Sequence, residues 1–279
     1  MRKKKKSFIR RNLPFLLIFI IGFGVLLYPQ LSRIYYTFQA IDTVQKFSSE
    51  KDKLDDEELK RRFELAQAFN ETLHNVVTTD PYSEDKRSQG KAEYARMLEV
   101  REQIGHVEVP PIGIDIPVYA GTQEESISRG SGHLEGTSLP IGGINTHAVL
   151  TSHAGLPTAK LFTDLKKVKE GDVFYVHNIF ETLAYEVDQI KVVEPTDFSN
   201  LMVVEGQDYV TLLTCTPPVL NTHRLLVRGH RIPYEEKAHQ YHSKQFRDYV
   251  PYLIILLAIL FGLFLLWLLW KRRKHAQDK

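Results

Sequence analysis

VTLLTCTPPVLNTHRLLVRGHR, the stretch Val210–Arg231, consists of two apolar runs of β type joined by a segment with two prolines. Cys215, the only cysteine of the 279 residues, ends the first run, and Arg224 begins the second run nine positions later. A single thiol between two strands is either a buried packing residue or a reactive group. The remainder of the sequence has to distinguish these two interpretations.

Short runs of β type also fill the middle of the chain. Turns with glycine and proline separate them, and the helices that a parallel α/β sheet requires between its strands are missing. The sequence therefore predicts a mainly β fold, a closed or nearly closed barrel. The runs are Gly105–Ala120, Ala148–Ser152, Val173–His177, Leu183–Val187, Ile190–Val193, Tyr209–Thr214 and Arg224–Val227.

Helical patterns lie mainly before these strands. Apolar residues at helical spacing predict a packing helix over Asp52–Val77, and shorter helices are predicted at Lys91–Gln103 and Ala159–Val168. The polar segment Thr78–Gly90 contains Asp80-Pro81, a dipeptide that disfavours helix and favours a turn. We therefore expect a loop at 78–90.

Two apolar segments have basic flanks. Val250–Trp270 has 21 residues without a charge, enough for a helix to cross a bilayer, and Leu13–Leu31 is a second candidate span or signal-anchor. A cleaved signal peptide is the alternative for the first segment. Residues 1–12 carry seven basic side chains and residues 271–279 carry five, so the positive-inside rule places both termini in the cytoplasm and residues 32–249 outside the cell.

Charge and hydropathy together give a domain plan and exclude one class of partner. The ends carry net charges of +7 and +4, so the remainder carries −9, which argues against nucleic acid as a partner and for a lipid bilayer at the ends. The predicted parts are a cytoplasmic basic segment at 1–12, a transmembrane helix or signal-anchor at 13–31, an extracellular helical region at 32–90 with its loop at 78–90, a β-barrel domain at 91–235, a juxtamembrane linker at 236–249, a transmembrane helix at 250–270 and a cytoplasmic basic tail at 271–279.

An extracellular location favours the reactive interpretation of Cys215, because a single thiol cannot form a disulfide within its own chain. A cysteine nucleophile needs an imidazole or a cation nearby to favour the thiolate, and a positive group to stabilise the oxyanion. Of the eleven histidines, His153 fits best, since it ends a strand-like run and precedes a glycine-containing loop, whereas His147, His223 and His230 fit less well. Arg224 is either that cation or an exposed strand residue. No histidine or cysteine pair has the spacing of a metal site, and we expect no metal and no cofactor.

Several segments resemble one known family. Thr211–Cys215, TLLTC, resembles the signature of the sortases, cysteine transpeptidases of Gram-positive cell surfaces, and Thr222–Gly229, THRLLVRG, resembles the segment that follows it in the pilus-building class C. The resemblance covers roughly residues 50–235. Two sites depart from the family pattern: Ser152 and Ala154 stand where a glycine and a basic residue are usual around the histidine, and Pro218 and Val219 where an aromatic residue and a glycine are common. Further segments of class C character are Gly132–Pro140, Thr151–Leu156 and Ala159–Leu165.

The resemblance implies a sortase-type closed β-barrel with N-terminal helices, and a role for each site residue. Cys215 would be the nucleophile, His153 the general acid and base, and Arg224 the cation that stabilises the oxyanion or the bound peptide, with Thr211 and Thr214 in the substrate-binding site. Asp80, Pro81 and Tyr82 match a lid motif of class C, which implies Asp80 near Arg224 and Tyr82 stacked by Cys215. The implied substrates are pilin subunits with LPxTG-like sorting signals, and the implied acceptor is a lysine of another pilin.

Two alternatives stay open on sequence. One is a housekeeping sortase that attaches proteins to peptidoglycan, against which the second span and the Asp80-Pro81-Tyr82 loop argue. The other is a two-span surface protein that binds a ligand and whose cysteine is inert. A papain-like protease is disfavoured because His153 precedes Cys215 and no papain-type cysteine motif is present.

Overall fold

The computed structural model describes residues 8–73, 96–218, 220–236, 260 and 264. The chain divides into two compact units, residues 1–234 and 235–279, and the fold described here is that of the first unit. Two long helices precede a β domain. In chain order the elements are α1 (Phe8–Lys51), α2 (Asp56–Thr72), β1 (Gln103–Val109), β2 (Ile114–Ala120), α3 (Glu124–Arg129), β3 (Ser131–His133), β4 (Thr146–Thr151), β5 (Val173–His177), β6 (Thr182–Val193), β7 (Asp208–Thr216) and β8 (His223–Ile232), with 3-10 helices at Pro110–Ile112, Leu161–Lys167 and Ser199–Leu201.

The eight strands form a closed barrel in the order β1-β2-β3-β4-β7-β8-β6-β5. The β2–β3 and β4–β7 pairs are parallel and the other pairs are antiparallel. Closure leaves no sheet edge unpaired and encloses one apolar core, in which Phe174, Tyr185 and Val227 are fully buried. The predicted mainly β barrel with N-terminal helices is therefore confirmed.

The two N-terminal helices pack on the barrel. Every residue of β1 is buried, because α1 packs against β1 and β2 on the side away from the barrel interior. Phe47 of α1 is buried there, with its ring centroid 6.2 Å from that of His106. The barrel thus has a helical cover over its first two strands.

The helix predicted over Asp52–Val77 is confirmed in its central part and begins at Asp56. The side chain of Asp55 caps it, accepting a hydrogen bond from the backbone N–H of Glu58 at 2.7 Å, and acidic residues fill its first turn. Near its other end the buried side chain of Asn70 accepts a hydrogen bond from Leu139 N at 2.7 Å and donates one to Leu139 O at 3.2 Å. Asn70 therefore links α2 to the barrel through backbone groups.

Three local predictions need correction. No α-helix forms between residues 96 and 103, where the described part of the predicted helix Lys91–Gln103 lies, because Val100 and Gln103 pair across a tight turn that leads into β1. The helix predicted at Ala159–Val168 is the 3-10 helix Leu161–Lys167. The runs at 183–187 and 190–193 are one strand, β6, whose register against β8 shifts between Val187 and Gln189.

The structure does not confirm the two predicted membrane segments. Residues 13–31 lie within α1, and among the described residues no helix combines the length and the apolar character needed to cross a membrane. Residues 250–270 lie outside the described residues except for Leu260 and Phe264.

Candidate active site

Cys215 and Arg224 are neighbours across one strand pair. They occupy directly opposed positions of the antiparallel strands β7 and β8, so their side chains project from the same face of the sheet. Both are buried, with 5% of Cys215 and 7% of Arg224 exposed. The guanidinium of Arg224 donates from Nη1 to the carbonyls of Asn221 at 2.9 Å and His223 at 3.1 Å. The backbone before β8 therefore holds this cation beside the thiol-bearing position.

His153 lies at the same end of the barrel. It follows β4, which runs parallel to β7 with Thr151 paired to Leu213, so the carboxyl ends of the two strands lie side by side. The backbone N–H of Ser152 donates to Leu213 O at 3.2 Å, and Thr214 Oγ1 donates to Ser152 O at 2.7 Å. These two bonds fix the peptide just before His153 to the residues just before Cys215. The structure thus brings all three predicted catalytic residues to one region.

The imidazole of His153 has a carboxylate neighbour that the sequence did not reveal. Its Nε2 lies 3.1 Å from Oε1 and 3.2 Å from Oε2 of Glu124, the first residue of α3. The side chain of His153 is only 16% exposed, whereas that of Glu124 is 53% exposed. The two residues are 29 positions apart, and no sequence motif links them, since the contact depends on α3 packing beside the end of β4.

Thr211 and Thr214, predicted to bind substrate, are both buried and have hydrogen-bonded hydroxyls. Thr214 holds Ser152, as described above, and the Thr211 hydroxyl lies 2.8 Å from Nε2 of His147. Both hydroxyls face interior groups, and their place in the substrate-binding site stays a prediction. Their positions fit a role in holding β7 and β4 together.

His147 is a structural histidine, as its sequence context suggested. Its Nδ1 lies 2.9 Å from the carbonyl oxygen of Met202. A carbonyl only accepts, so Nδ1 carries the hydrogen and Nε2 accepts from the Thr211 hydroxyl. Burial lowers the pKa of His147 from 6.5 to about 4, so the ring is neutral at neutral pH. It fixes the segment between β6 and β7 to the barrel.

A cleft adjoins Arg224 on the outer side of β7 and β8. Its wall is largely apolar, and Leu201 and Leu213 belong to a small buried cluster that is separate from the barrel core. Its lining residues are Val193, Glu194, Pro195, Asp197, Phe198, Leu201, Leu213, Arg224 and Leu226.

The remaining predicted residues are either peripheral or not described. His223 lies at the rim, with Nε2 3.2 Å from Glu194, and His230 lies 3.9 Å from Asp188. Asp80, Pro81 and Tyr82, the predicted lid, lie outside the described residues. Over the described ranges, no group of three or more histidine, cysteine or acidic side chains is arranged to hold a metal ion.

Comparison with known proteins gives consistent matches to one family. The Sortase domain family matches residues 107–232. The crystal structure of sortase C-1 from Streptococcus pneumoniae is 63% identical, with a TM-score of 0.68 over 70% of this chain and 100% of that chain. The structure of a pilus-related sortase C of group B Streptococcus is 59% identical, with a TM-score of 0.66 over 68% of this chain and 97% of that one. Sortase A of Streptococcus agalactiae is 25% identical over 241 residues, which are 82% of this chain and 89% of that protein.

The barrel and its single buried cysteine are those of a cysteine transpeptidase. The chain belongs to the sortase family, and the solved structures that it resembles place it in class C. The resemblance found in the sequence is thereby confirmed. The alternative of a surface protein without enzymatic activity is set aside.

Proposed function

We propose that this protein is a membrane-anchored class C sortase that cleaves an LPxTG-like sorting signal between threonine and glycine and joins pilin subunits through a lysine isopeptide bond. The observation that carries the proposal is the direct pairing of Cys215 with Arg224 across β7 and β8, at the barrel end where His153 follows β4. A pilus-related sortase C among the structural relatives supports the choice of substrate.

Cys215 is the nucleophile in this proposal. Its thiolate attacks the threonine carbonyl of the sorting signal, a carbon–sulfur bond forms, and the carbon–nitrogen bond to glycine breaks. The departing amine takes a proton from His153, so an acyl-thioester and a free amine result. A lysine amine then attacks the thioester, gives a proton to His153, and releases the Cys215 thiolate with formation of an isopeptide bond.

Arg224 stabilises the negative charge that develops on the threonine carbonyl oxygen. The guanidinium is buried and held by two backbone carbonyls, so its charge is oriented before the substrate arrives. A preorganised cation in a site of low exposure stabilises an oxyanion better than a solvated one.

The loop at 78–90 acts as a lid over the empty site, with Asp80 near Arg224 and Tyr82 against Cys215. Support for this part is the match of Asp80-Pro81-Tyr82 to the class C lid motif. A carboxylate is the natural partner for a buried guanidinium, and an aromatic ring shields a thiol from reagents. The lid would have to leave the site before substrate binds.

Residues 13–31 and 250–270 anchor the enzyme at both ends, with the barrel domain 91–235 outside the cell. The apolar lengths and basic flanks of both segments support this assignment. Large apolar side chains of α1 are also exposed, among them Ile18, Val25 and Leu26. An exposed apolar surface of this kind is stabilised by lipid. Anchoring confines enzyme and anchored substrates to one plane, which raises their encounter rate.

The test uses the full-length enzyme, a pilin with an LPxTG-like signal and a second pilin as lysine donor. Cys215→Ala should abolish the crosslinked product while the unfolding temperature stays within a few degrees of the parent. His153→Ala should lower the rate by about 10²-fold or more. Mass spectrometry of the product identifies the acceptor: a threonine–lysine isopeptide supports the proposal, and transfer to a peptidoglycan amine instead supports the housekeeping alternative. A Cys215→Ala enzyme that still makes the product would overturn the proposal.

A further inference from the structure

We propose that Glu124 is a positioning residue of the active site, which fixes the proton of His153 on Nε2 and leaves Nδ1 as the nitrogen that exchanges protons with substrate. The inference rests on the proposed role of His153 as general acid and base. It adds a residue that the sequence did not point to and assigns separate tasks to the two ring nitrogens.

The geometry identifies which nitrogen is held. Nε2 of His153 lies within hydrogen-bonding distance of both carboxylate oxygens of Glu124, at 3.1 and 3.2 Å. An ionised carboxylate only accepts hydrogen bonds, so the nitrogen that faces it carries a hydrogen in the neutral and in the protonated ring.

This assignment determines the path of the proton. In the imidazolium both nitrogens carry hydrogen, and the Nδ1 hydrogen passes to the departing amine when the carbon–nitrogen bond breaks. The ring is then neutral, with its hydrogen on Nε2 and a lone pair on Nδ1. The incoming amine gives its proton to that lone pair, and the imidazolium is restored. Glu124 stays ionised throughout and never touches the substrate, which is why its role is positioning.

The helix that carries Glu124 is fixed to the residue next to His153. The hydroxyl of Ser152 donates to Gly130 O at 2.5 Å, at the carboxyl end of α3, and Ile127 of α3 is buried against the barrel. Ser152 is fully buried and stands where the family usually has glycine. This chain therefore has a side-chain bond between α3 and the histidine segment, which maintains the distance between Glu124 and His153.

Glu125 provides a matched control on the same helix. It has the same charge, and its side chain is 77% exposed and faces Arg129, with Oε1 3.4 Å from Nη2 of that residue. Replacing either glutamate by glutamine keeps the size and changes the net charge equally. Of these two glutamates, only Glu124 has carboxylate oxygens within hydrogen-bonding distance of the imidazole, so any difference between the two variants reports on that contact.

The experiment compares full-length wild type, Glu124→Gln, Glu125→Gln and Cys215→Ala. The first measurement is kcat/KM for transpeptidation as a function of pH. The second is the nitrogen chemical shifts of His153 in the protein labelled with ¹⁵N-histidine, which report the tautomer of the neutral ring without any need for activity. Cys215→Ala tests the proposed function in the same transpeptidation assay.

We expect Glu124→Gln to lower kcat/KM about two- to fivefold, since the hydrogen-bonded pair of His153 and Glu124 is partly exposed and modest in strength. The neutral ring should lose its preference for hydrogen on Nε2, because an amide can donate as well as accept. Glu125→Gln should match wild type in both measurements.

The inference is overturned if Glu124→Gln superimposes on wild type, or if its rate falls equally at every pH with an unchanged tautomer, which would indicate a merely structural role. Failure of the proposed function has a different signature. In that case Cys215→Ala retains activity, while the nitrogen shifts still determine whether Glu124 sets the tautomer.

Discussion

Cys215 of β7 and Arg224 of β8 lie directly opposite each other, and the backbone carbonyls of Asn221 and His223 hold the guanidinium of Arg224. The relationship is set by the register of one strand pair, so it does not depend on the flexibility of a long loop. An arginine at this position has a permanent charge and a planar set of hydrogen-bond donors. Its Nη1 already donates to the two backbone carbonyls.

Substitutions of Arg224 should distinguish the effect of its positive charge on the rate from the effect of its planar guanidinium. We expect Arg224→Ala to lower kcat/KM about 10²- to 10³-fold, the usual cost of losing an oxyanion-stabilising group. The kcat/KM of Arg224→Lys should lie between those of Arg224→Ala and wild type, because lysine keeps the charge but lacks the planar guanidinium. Steady-state kinetics with a sorting-signal peptide measures this. Arg228→Lys is the control, since Arg228 lies on the same strand but binds Asp188 at 3.0 and 3.1 Å. An Arg224→Ala enzyme within twofold of wild type would contradict the assignment.

The proposed lid predicts a change in thiol reactivity. Asp80→Ala or Tyr82→Ala should speed alkylation of Cys215 by a small neutral reagent about tenfold, if the contact of each side chain with the barrel is worth about 1.4 kcal/mol. The rate is measured by mass spectrometry of the intact full-length protein. Ser83→Ala, in the same loop but outside the motif, should leave it unchanged. Equal labelling rates in all four proteins would exclude a docked lid.

Part of this architecture could be predicted from local pattern alone. The run Val173–His177 coincides with β5, because a short, nearly continuous apolar run bounded by turn residues leaves a clear signal. The three residues of β3 and the six of α3 are too few to show a period, so neither was predicted. The two runs that form β6 are interrupted at Asp188, where the register shift removes the alternation.

In the active site, too, some contacts could be predicted from local sequence, and others exist only in the folded protein. Arg224 follows Cys215 by nine positions in one hairpin, so their proximity follows from local sequence. His153 could be selected from eleven histidines by its place at a strand end and by the family resemblance. Glu124 could not be found, since its contact with His153 exists only once α3 packs on the barrel. The partners of the Thr211 and Thr214 hydroxyls could not be predicted either, since sequence does not show which groups cover the two faces of β7.

Asn70 should make a large contribution to the docking of α2. Asn70→Ala would leave the N–H of Leu139 without its partner in a buried position, while Leu139 O keeps its bond from Ile141 N at 2.8 Å, and we expect the free energy of unfolding to fall by about 1–3 kcal/mol. Denaturant titration followed by circular dichroism measures the change. Gln67→Ala, on an exposed position of the same helix, should change it by less than about 0.5 kcal/mol. Equal stabilities of the two variants would show that α2 does not depend on this contact.

Two buried histidines should make the folded domain sensitive to mild acid. Burial lowers the pKa of both His133 and His147 from 6.5 to about 4. Between these values the unfolded chain binds protons that the folded protein excludes, so unfolding becomes easier as pH falls. Their stabilising contribution is complete above about pH 6.5 and is lost progressively towards pH 4, by an amount on the order of 3 kcal/mol for each histidine.

The variant His147→Asn isolates one of these contributions. Asparagine can still donate to Met202 O, but it does not titrate. Wild type and variant should both lose free energy of unfolding when the pH is lowered from 6.5 to 4.5. The loss should be smaller in the variant by about 2 kcal/mol. Denaturant titrations at a series of pH values measure this slope, and carboxylates that titrate in the same range contribute equally to both proteins. His230→Asn, at a partly exposed position on β8, is the control for the substitution itself. If His147→Asn lost stability with acid as steeply as wild type, the imidazole of His147 would already be charged in the folded state, and its hydrogen bond from Thr211 would have to be reassigned.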